Sequence, residues 1–334
     1  SGGPVALTPE AVRRMEQSVG TVRRVVSSGE TSYGINTGFG AFANRQVSAE
    51  QAEQLQYNLV RSHTCGVGPA LPDTLVRRIM LLKANSLAVG CSGIRPLVVE
   101  TLLGLLNAGV VPVIPSQGSV GASGDLAPLA HLALALIGEG EATLGGEPLR
   151  NGEVLDAAGL APVTLQPKEG LALLNGTQVS AALALEGYRL GRLLLETAIV
   201  AGSLSVEGLA GSFAPFDPRI HEARGLPGQI RVAEDFRALL TASEINASHK
   251  DCDRVQDPYA VRCMPQVFGA VADTLDHAAR VLETESNGVS DNPLVFGDEV
   301  LSGGNFHAEP VGFVADFMGI AVAELASMSE RRID

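Results

Sequence analysis

Residues 118–131 of this chain read GSVGASGDLAPLAH and join a turn to a helix. The glycines of the first half favour a turn, because glycine adopts backbone conformations that a side chain hinders in other residues. The second half opens the apolar run from Leu126 to Ile137, which is typical of a buried helix and stops at Gly138. Taken alone, the segment predicts a glycine-rich turn before a helix, with Asp125 at the helix N-cap.

Two well-known catalytic turns do not fit this segment. The nucleophile elbow of serine hydrolases requires Gly-x-Ser-x-Gly, but Asp125 stands where the last glycine should be. A phosphate-binding loop ends in Lys followed by Ser or Thr, and that ending is missing. Local spacing rules therefore assign no chemistry to the segment.

The sequence on both sides of this segment is mostly helical in pattern. Thr8 and Pro9 mark a helix start, and Ser48 with Gln51 forms a capping box for a second helix that runs toward Arg61. Apolar residues at three- and four-residue steps predict further helices near 72–90, 95–107, 170–209, 231–247, 265–285 and 310–332. Extended chain, a small hairpin and two loops are expected at 110–116, 139–168, 213–229 and 286–305. We therefore expect a mainly α protein, a bundle of long helices with functional loops at the helix ends.

The composition bounds the class of protein. The chain has 334 residues, of which 46% are hydrophobic, and a mean hydropathy of +0.20, so we expect a large core or extensive subunit contacts. A net charge of -13, scattered along the chain, argues against binding to nucleic acids or anionic membranes. The longest uncharged apolar stretch in a helical pattern, 171–185, is shorter than the roughly 18 to 20 residues of a membrane span. The four cysteines include no CxxC pair, which favours reduced thiols in a cytoplasmic protein.

The tripeptide Ala122-Ser123-Gly124, followed by Asp-Leu-Ala-Pro-Leu, resembles the signature of the aromatic amino acid ammonia-lyase family. The resemblance implies a helical architecture of the fumarase/aspartase-like superfamily. It also implies that the tripeptide cyclises with loss of two waters to the electrophile 4-methylidene-imidazole-5-one (MIO), with no metal or diffusible cofactor. In that ring closure Gly124 supplies the attacking amide nitrogen and Ala122 the carbonyl carbon. Ser123 loses its hydroxyl and becomes the methylidene group.

Other segments carry the same resemblance and suggest further site residues. The loop YGINTGFG, which begins at Tyr33, is similar to the family loop that carries a catalytic tyrosine, and this implies Tyr33 as the general base. The Asn-Gly-Thr at Asn175 is similar to the family motif whose asparagine orients the ring, although a buried asparagine also fits a structural hydrogen bond. Phe306, in GGNFHAEP, is implied to lie beside the ring. Neither His307 nor Glu309 is assigned chemistry.

The polar segment HKDCDRVQDPYAVRC, residues 249–263, contains the remaining candidates. Its His, Asp and Cys residues have no standard metal-ligand spacing, and a solvated loop is the plain interpretation. The resemblance implies instead that Gln256, Tyr259 and Arg262 belong to the active site. Arg262 would fix the substrate carboxylate, for which a planar guanidinium fork is suited.

The substrate is suggested by RSHTCG, residues 61–66. Members of the family that act on histidine resemble this Ser-His order, whereas those acting on tyrosine place a His one residue earlier and those acting on phenylalanine place Phe-Leu there. L-Histidine is thus the expected substrate, with trans-urocanate and ammonia as products. His63 would contact the substrate imidazole, unless it is a helix-end histidine bonded to a backbone carbonyl. A phenylalanine or tyrosine lyase, an aminomutase and an inactive scaffold with an uncyclised tripeptide remain alternatives.

The resemblance also implies an assembly and a division into regions. We expect residues 1–209 to contain the MIO-forming loop and the start of the central bundle, and residues 210–334 to continue that bundle. Members of the family are longer, and the last helical pattern reaches Asp334 without a stop signal, so the chain is expected to be truncated. The family forms homotetramers whose active sites draw residues from three subunits.

Overall fold

In the computed structural model of the chain, the described residues are 3–29, 31–38, 47, 49–249 and 254–334. The expected helix cap Ser48 lies outside them. So do residues 39–46, which include the end of the expected tyrosine loop, and residues 250–253 of the polar segment. Helices predominate among the described residues, as the apolar periodicity predicts.

The helices are α1 (Pro9–Ser28), α2 (Ala49–His63), α3 (Asp73–Ala88), α4 (Pro96–Ala108), α5 (Leu126–Leu136), α6 (Gly152–Asp156), α7 (Glu169–Leu174), α8 (Gln178–Gly208), α9 (Pro218–Arg224), α10 (Pro227–Leu240), α11 (Glu244–Ser248), α12 (Tyr259–Arg262), α13 (Met264–Asn287) and α14 (Glu309–Ile333). The strands are β1 (Val67–Ala70), β2 (Val110–Pro112), β3 (Pro115–Gln117), β4 (Glu141–Leu144), β5 (Glu147–Arg150), β6 (Leu294–Phe296) and β7 (Glu299–Leu301).

The chain divides into two compact units. The first comprises Ser1–Leu183 and Thr284–Pro310, and the second comprises Ala184–Glu283 and Val311–Asp334. The expected regions 1–209 and 210–334 stay a prediction.

The first unit has its core between α3, α4, α5 and α7. Fully buried aliphatic side chains fill it, among them Ile79, Leu102, Leu132 and Leu173. The antiparallel sheet β2-β4-β5 borders this core and contains the hairpin expected within 139–168. The turn between β4 and β5 is Gly145-Gly146, both with positive φ. Strand β1 pairs with β3, with Val67 opposite Gln117. This pairing places the end of α2 beside the start of the glycine-rich turn.

The second unit has an aromatic core. Phe216 stacks on Phe236 with ring centroids 4.9 Å apart, and Phe236 stacks on Phe268 at 6.2 Å. Leu275 from α13 and Val314 from α14 complete the buried cluster. Burial of these aromatic rings stabilises the packing of the helices in this unit.

The loop expected over 213–229 is wrong, because α9 begins within it: Pro218 is its first residue, and the Asp217 carboxylate accepts from the Arg219 amide. Proline near a helix start is favourable because its missing N–H would be unpaired there in any case. The nearly continuous helix expected over 170–209 is confirmed as α7 and α8, with a short break after Leu174.

Of the described helices, α14 alone is long and apolar enough to cross a membrane by length and composition. A single helix of this kind is weak support for a membrane protein, since core helices pass the same test.

Candidate functional site

The tripeptide forms the tip of a tight turn that leads into α5. The Gly124 amide donates to the Gly121 carbonyl over 3.1 Å, and both glycines have positive φ, 84° and 72°. Ala122 and Ser123 are exposed, whereas Gly124 is buried. The serine is therefore accessible, and the Gly124 nitrogen lies on the inner side of the turn, close in sequence to the Ala122 carbonyl carbon.

Gly124 is pressed against the chain break that follows α7. A Cβ atom on Gly124 would lie 3.0 Å from the Gly176 carbonyl oxygen and 3.3 Å from the Asn175 Oδ1 atom. The next amide, that of Asp125, donates to the same Gly176 oxygen over 2.7 Å. Because both the positive φ and these contacts oppose a side chain, glycine suits this position. A crowded glycine amide beside two small residues fits the MIO group that the resemblance implies.

Asp125 follows the tripeptide and holds the start of α8. Its Oδ2 accepts from the Val179 and Ser180 amides at 2.8 Å each, and its Oδ1 accepts from the Ser180 and Ser119 hydroxyls at 2.6 Å. Asp125 occupies the N-cap position of α5, as expected, but its side chain makes no cap bond there and bonds the start of α8 instead. The carboxylate is stabilised by the amide groups and positive dipole end of α8.

The break between α7 and α8 is formed by Asn175, Gly176 and Thr177. Asn175 leaves helical geometry with ψ of 132°, and Gly176 has φ of 140°, a conformation that other residues rarely adopt. The Asn175 Nδ2 donates to the Asn292 carbonyl over 3.0 Å. This is the structural bond of the plain interpretation, and it also holds the amide of Asn175 beside Gly124.

A buried polar network braces this break. Lys168 and Asp291 form an ion pair of 2.7 Å with almost no exposure. Ser290 accepts from the Thr177 amide at 3.2 Å and from the Gln178 side chain at 2.9 Å. The break is thereby fixed by residues from before α7 and from the segment after α13.

Lys83, on α3, is a further buried cation behind the break, and sequence reasoning missed it. Its Nζ donates to the Asn175 carbonyl over 2.6 Å and lies 3.5 Å from the Gln178 Oε1. Burial lowers the pKa of Lys83 to about 7; the charge of Lys168 lowers it further, while Asp291 and Asp125 act in the opposite direction. A lone lysine inside the apolar run MLLKANSLA was the only signal in the sequence.

Tyr33 and Phe306 belong to segments that approach the same break. A Cβ on Gly34, next to Tyr33, would press on Leu171 of α7 and on Pro293, which follows Asn292. The Ala308 amide donates to the Gly121 carbonyl over 3.2 Å, which attaches the Phe306 segment to the tripeptide turn. Tyr33 and Phe306 are both partly exposed.

His63 ends α2 and lies near the other side of the turn. Its Nδ1 is 2.9 Å from the Leu59 carbonyl, the bond of a helix-end histidine. Because a carbonyl only accepts, Nδ1 carries the proton, and in the neutral ring Nε2 is then an acceptor. A Cβ on Gly118 would lie 3.2 Å from the Gly66 Cα, so the His63 segment runs directly along the start of the turn.

The second unit holds the other candidates, Gln256, Tyr259 and Arg262. The Arg262 guanidinium lies 4.8 Å from the centre of the Tyr259 ring, and its Nε donates to the Asp257 carbonyl over 2.9 Å. The buried Asp257 carboxylate accepts from the Ser212 amide and from Arg254. Gln256 and Arg262 line a pocket with residues 210–215. The structure thus groups the seven residues Tyr33, His63, Ala122, Ser123, Gly124, Asn175 and Phe306 in the first unit and these three in the second.

Among the described residues, no group of three or more His, Cys, Asp and Glu side chains could hold a metal ion.

The whole chain, residues 1–334, matches the family model described as aromatic amino acid lyase. It is 55% identical over 334 residues to a histidine ammonia-lyase of Paracidovorax citrulli, covering 99% of this chain and 65% of the relative. Its fold is similar to that of histidine ammonia-lyase from Trypanosoma cruzi, with a TM-score of 0.90 and 40% identity over 100% of this chain and 63% of the other. It is also similar to the phenylalanine aminomutase of Pantoea agglomerans, with a TM-score of 0.94 and 36% identity over 99% of this chain and 68% of the other.

The chain therefore spans about two thirds of the length of such relatives, 65% of the one from Paracidovorax citrulli. The mainly helical architecture expected from the sequence is confirmed by the similarity to these solved structures. The chain belongs to the aromatic amino acid lyase family.

Proposed function

We propose that this chain carries the electrophile and most of the substrate site of a histidine ammonia-lyase, which converts L-histidine to trans-urocanate and ammonia. The observation that carries the proposal is the Gly121–Gly124 turn, whose buried end is pressed against Asn175 and Gly176. The identity of 55% to a histidine ammonia-lyase supports the choice of substrate.

The tripeptide Ala122-Ser123-Gly124 would form the MIO ring, and Asn175 would hold it. When formed, the ring supplies an electrophilic methylidene carbon that activates the amino group as a leaving group. One Asn175 amide hydrogen is bonded to Asn292, which leaves the second free to orient toward the ring carbonyl oxygen. A donor fixed in this way stabilises developing negative charge without reorganisation.

Tyr33 would act as the base. Its phenol oxygen takes the proton from Cβ of histidine, the electron pair of that bond forms the Cα=Cβ double bond, and the Cα–N bond breaks. Phe306 would shield the reacting atoms from water. The close packing of Gly34 against α7 supports this role, because it holds the tyrosine loop near the Asn175 break and a general base must be positioned by its surroundings.

Substrate recognition would use both ends of histidine. The His63 Nε2, an acceptor in the neutral ring, suits the N–H of the substrate imidazole. Arg262 would pair with the substrate carboxylate, with Tyr259 packed against its guanidinium and Gln256 beside it. As the resemblance to the family implies, we propose that Arg262 serves the tripeptide of a neighbouring subunit.

A homotetramer is accordingly part of the proposal. Apolar side chains stand exposed along α8 and α14, which supports their burial between copies of the chain: Leu190, Leu193, Leu194, Leu204, Phe313, Phe317 and Ile320. Light scattering of the purified protein tests this, and a monomer would contradict it. We place the enzyme in the cytoplasm, where the three described cysteines, all free, would stay reduced.

The alternative is a phenylalanine or tyrosine lyase or an aminomutase. The phenylalanine aminomutase of Pantoea agglomerans, which gives the higher of the two TM-scores, 0.94, supports it. The test is a direct comparison of histidine, phenylalanine and tyrosine as substrates. Urocanate release with little cinnamate or coumarate supports the proposal, and the reverse supports the alternative. Intact mass comes first, because a protein that has not lost two waters would be an inactive scaffold.

A further inference from the structure

Lys83 has no place in the mechanism above, yet it is aimed at the break that holds the tripeptide. Only 1% of this residue is exposed, and its described hydrogen bonds go to the Asn175 carbonyl and, more weakly, to Gln178. The carboxylates of Asp291 and Asp125 act on it at longer range, and Asp291 is already paired with Lys168. Lys83 is thus a buried cation whose direct contacts are neutral oxygens.

The Asn175 carbonyl connects Lys83 to the tripeptide. In a trans peptide the carbonyl and the following N–H point in opposite directions. The Asn175 oxygen points to Lys83, so the Gly176 N–H is turned to the opposite side. A Cβ on Gly124 would lie 3.3 Å from that Gly176 nitrogen. Lys83 therefore fixes the rotation of a peptide plane whose other edge contacts the tripeptide.

The backbone conformation of Gly176 does little to fix the Asn175–Gly176 peptide plane. Gly176 has φ of 140°, and glycine at such a position can rotate to other conformations at little cost. The adjacent anchors hold the neighbouring groups: Asn175 Nδ2 is bonded to Asn292, and Gly176 O is bonded to the Asp125 amide. Among the described hydrogen bonds, the bond from Lys83 is the one that reaches the Asn175 carbonyl oxygen itself.

Stability alone does not account for Lys83. Burying an ammonium group carries a desolvation cost, and even buried ion pairs can often be replaced by apolar side chains of similar volume without loss of stability. The lowered pKa of Lys83 reflects that cost. A methionine would fill the same space without it.

We propose that Lys83 is a positioning residue that holds the Asn175–Gly176 peptide against the tripeptide, and so supports ring closure and turnover. The inference rests on the proposed function, but ring closure is measured without any substrate. The mass and the near-ultraviolet absorbance of the complete protein report it directly.

The test compares Lys83→Met with Lys83→Arg and with the control Arg78→Met. Arg78 lies on the same helix and donates to the Ala182 carbonyl over 3.2 Å, so its loss removes a similar bond to α8 without touching Asn175. For Lys83→Met we expect an unchanged or raised Tm, an incomplete ring, and kcat on the remaining cyclised protein lowered up to about 10²-fold, with a smaller change in KM, as for a misplaced catalytic group. Lys83→Arg, which keeps a donor, should recover much of the ring and of kcat. Arg78→Met should keep both.

Full cyclisation with wild-type kcat in Lys83→Met would overturn the inference. So would a fall in Tm with equal loss of activity in Lys83→Met and Arg78→Met, because that pattern marks a merely structural residue. If Lys83→Met does not fold, Lys83→Gln decides, because its side chain is one atom too short to reach the Asn175 carbonyl in the same way. A complete ring with wild-type kcat in folded Lys83→Gln would overturn the inference. A wild-type protein with a ring but no urocanate release overturns the proposed function alone, and a wild type without a ring overturns both.

Discussion

The tripeptide turn and the segment 254–262 contain candidate residues of the same reaction, but they are built differently. The turn is buried at Gly124 and Asp125, and the break that it contacts is held by Asn292, Ser290 and Lys83. In the segment 254–262, Val255 is 98% exposed and Tyr259 73% exposed. Asp257 is its main buried anchor.

The difference follows from what each region has to do. Ring closure requires atoms of one backbone to be forced together, and only a braced, water-excluded surround can fix them there. Binding a carboxylate requires a charge on a side chain that adapts to the substrate, and loops on a rigid scaffold commonly provide it. We therefore expect substitutions in the turn to change the electrophile, and substitutions in the segment 254–262 to change substrate binding alone.

Ser123→Ala should have the largest effect. The variant lacks the hydroxyl whose loss creates the methylidene, so turnover should fall by more than about a thousandfold, as for loss of a nucleophile or its equivalent. Intact mass should no longer be lower by two water molecules. The control is Ser116→Ala, an exposed serine on β3, which should keep both the mass change and the activity. Substantial activity in Ser123→Ala would remove the tripeptide from the mechanism.

Tyr33→Phe should separate chemistry from ring formation. The loop of Tyr33 contacts α7 through Gly34, which the substitution leaves unchanged, so the fold and the ring should remain. The rate should fall by roughly 10²–10⁴-fold, the range for loss of a positioned general base. Tyr188→Phe, in the second unit, serves as the matched control. Wild-type turnover after Tyr33→Phe would reject the assignment.

Arg262→Lys tests the role of the exposed segment 254–262. Lysine keeps the charge but loses the planar fork and the contact with the Tyr259 ring. We expect the KM for histidine to rise about 10- to 100-fold, the range for a hydrogen bond to a charged group, with an unchanged intact mass. Arg219→Lys, an exposed residue paired with Asp217, should change neither quantity. A loss of cyclisation in Arg262→Lys would show that the two regions are not independent.

Much of the fold could be predicted from local chemistry. The start of α1 is given by Thr8, whose hydroxyl accepts from the Ala11 amide, and its end by Gly29 with φ of 73°. The hairpin turn at residues 145–146 follows from two glycines. Helix α9 was missed because Pro218 was taken as part of a loop, although proline at a first helical turn is equally a start signal.

Less of the site could be predicted, because its decisive contacts join distant parts of the chain. The break at Asn175 was hidden by apolar residues on both sides, which continue a helical pattern through it. Asp125 was assigned to the nearest helix, whereas its carboxylate caps α8, more than fifty residues later. Lys83 carries no sequence motif, and its role depends on burial that only the folded chain reveals.

The smallest expected effect is on stability, and it concerns the buried surround of the tripeptide turn. Burial lowers the pKa of Lys83 to about 7 from an ordinary value of 10.5. Between these values the unfolded chain binds a proton that the folded chain does not, so the free energy of unfolding rises with pH. Below pH 7 both states are protonated and the cost of the buried charge is present in full. Each pH unit in the window should add up to about 1.4 kcal/mol.

The measurement is the Tm of the wild type and of Lys83→Met between pH 7 and pH 10. Other charged groups act on Lys83, namely Asp291, Lys168 and Asp125, and both proteins keep them. Lys83→Met removes the titrating amine, so its Tm should lack the rise with pH that Lys83 gives the wild type. Near pH 7 its Tm should match or exceed that of the wild type. A wild-type Tm that falls as steeply as that of the variant from pH 7 to pH 10 would mean that Lys83 is charged throughout. The segment 254–262 offers no counterpart, because it contains no lysine. If Arg262→Lys changed the dependence of Tm on pH as much as Lys83→Met does, that dependence would belong to the rest of the chain and not to Lys83 behind Asn175.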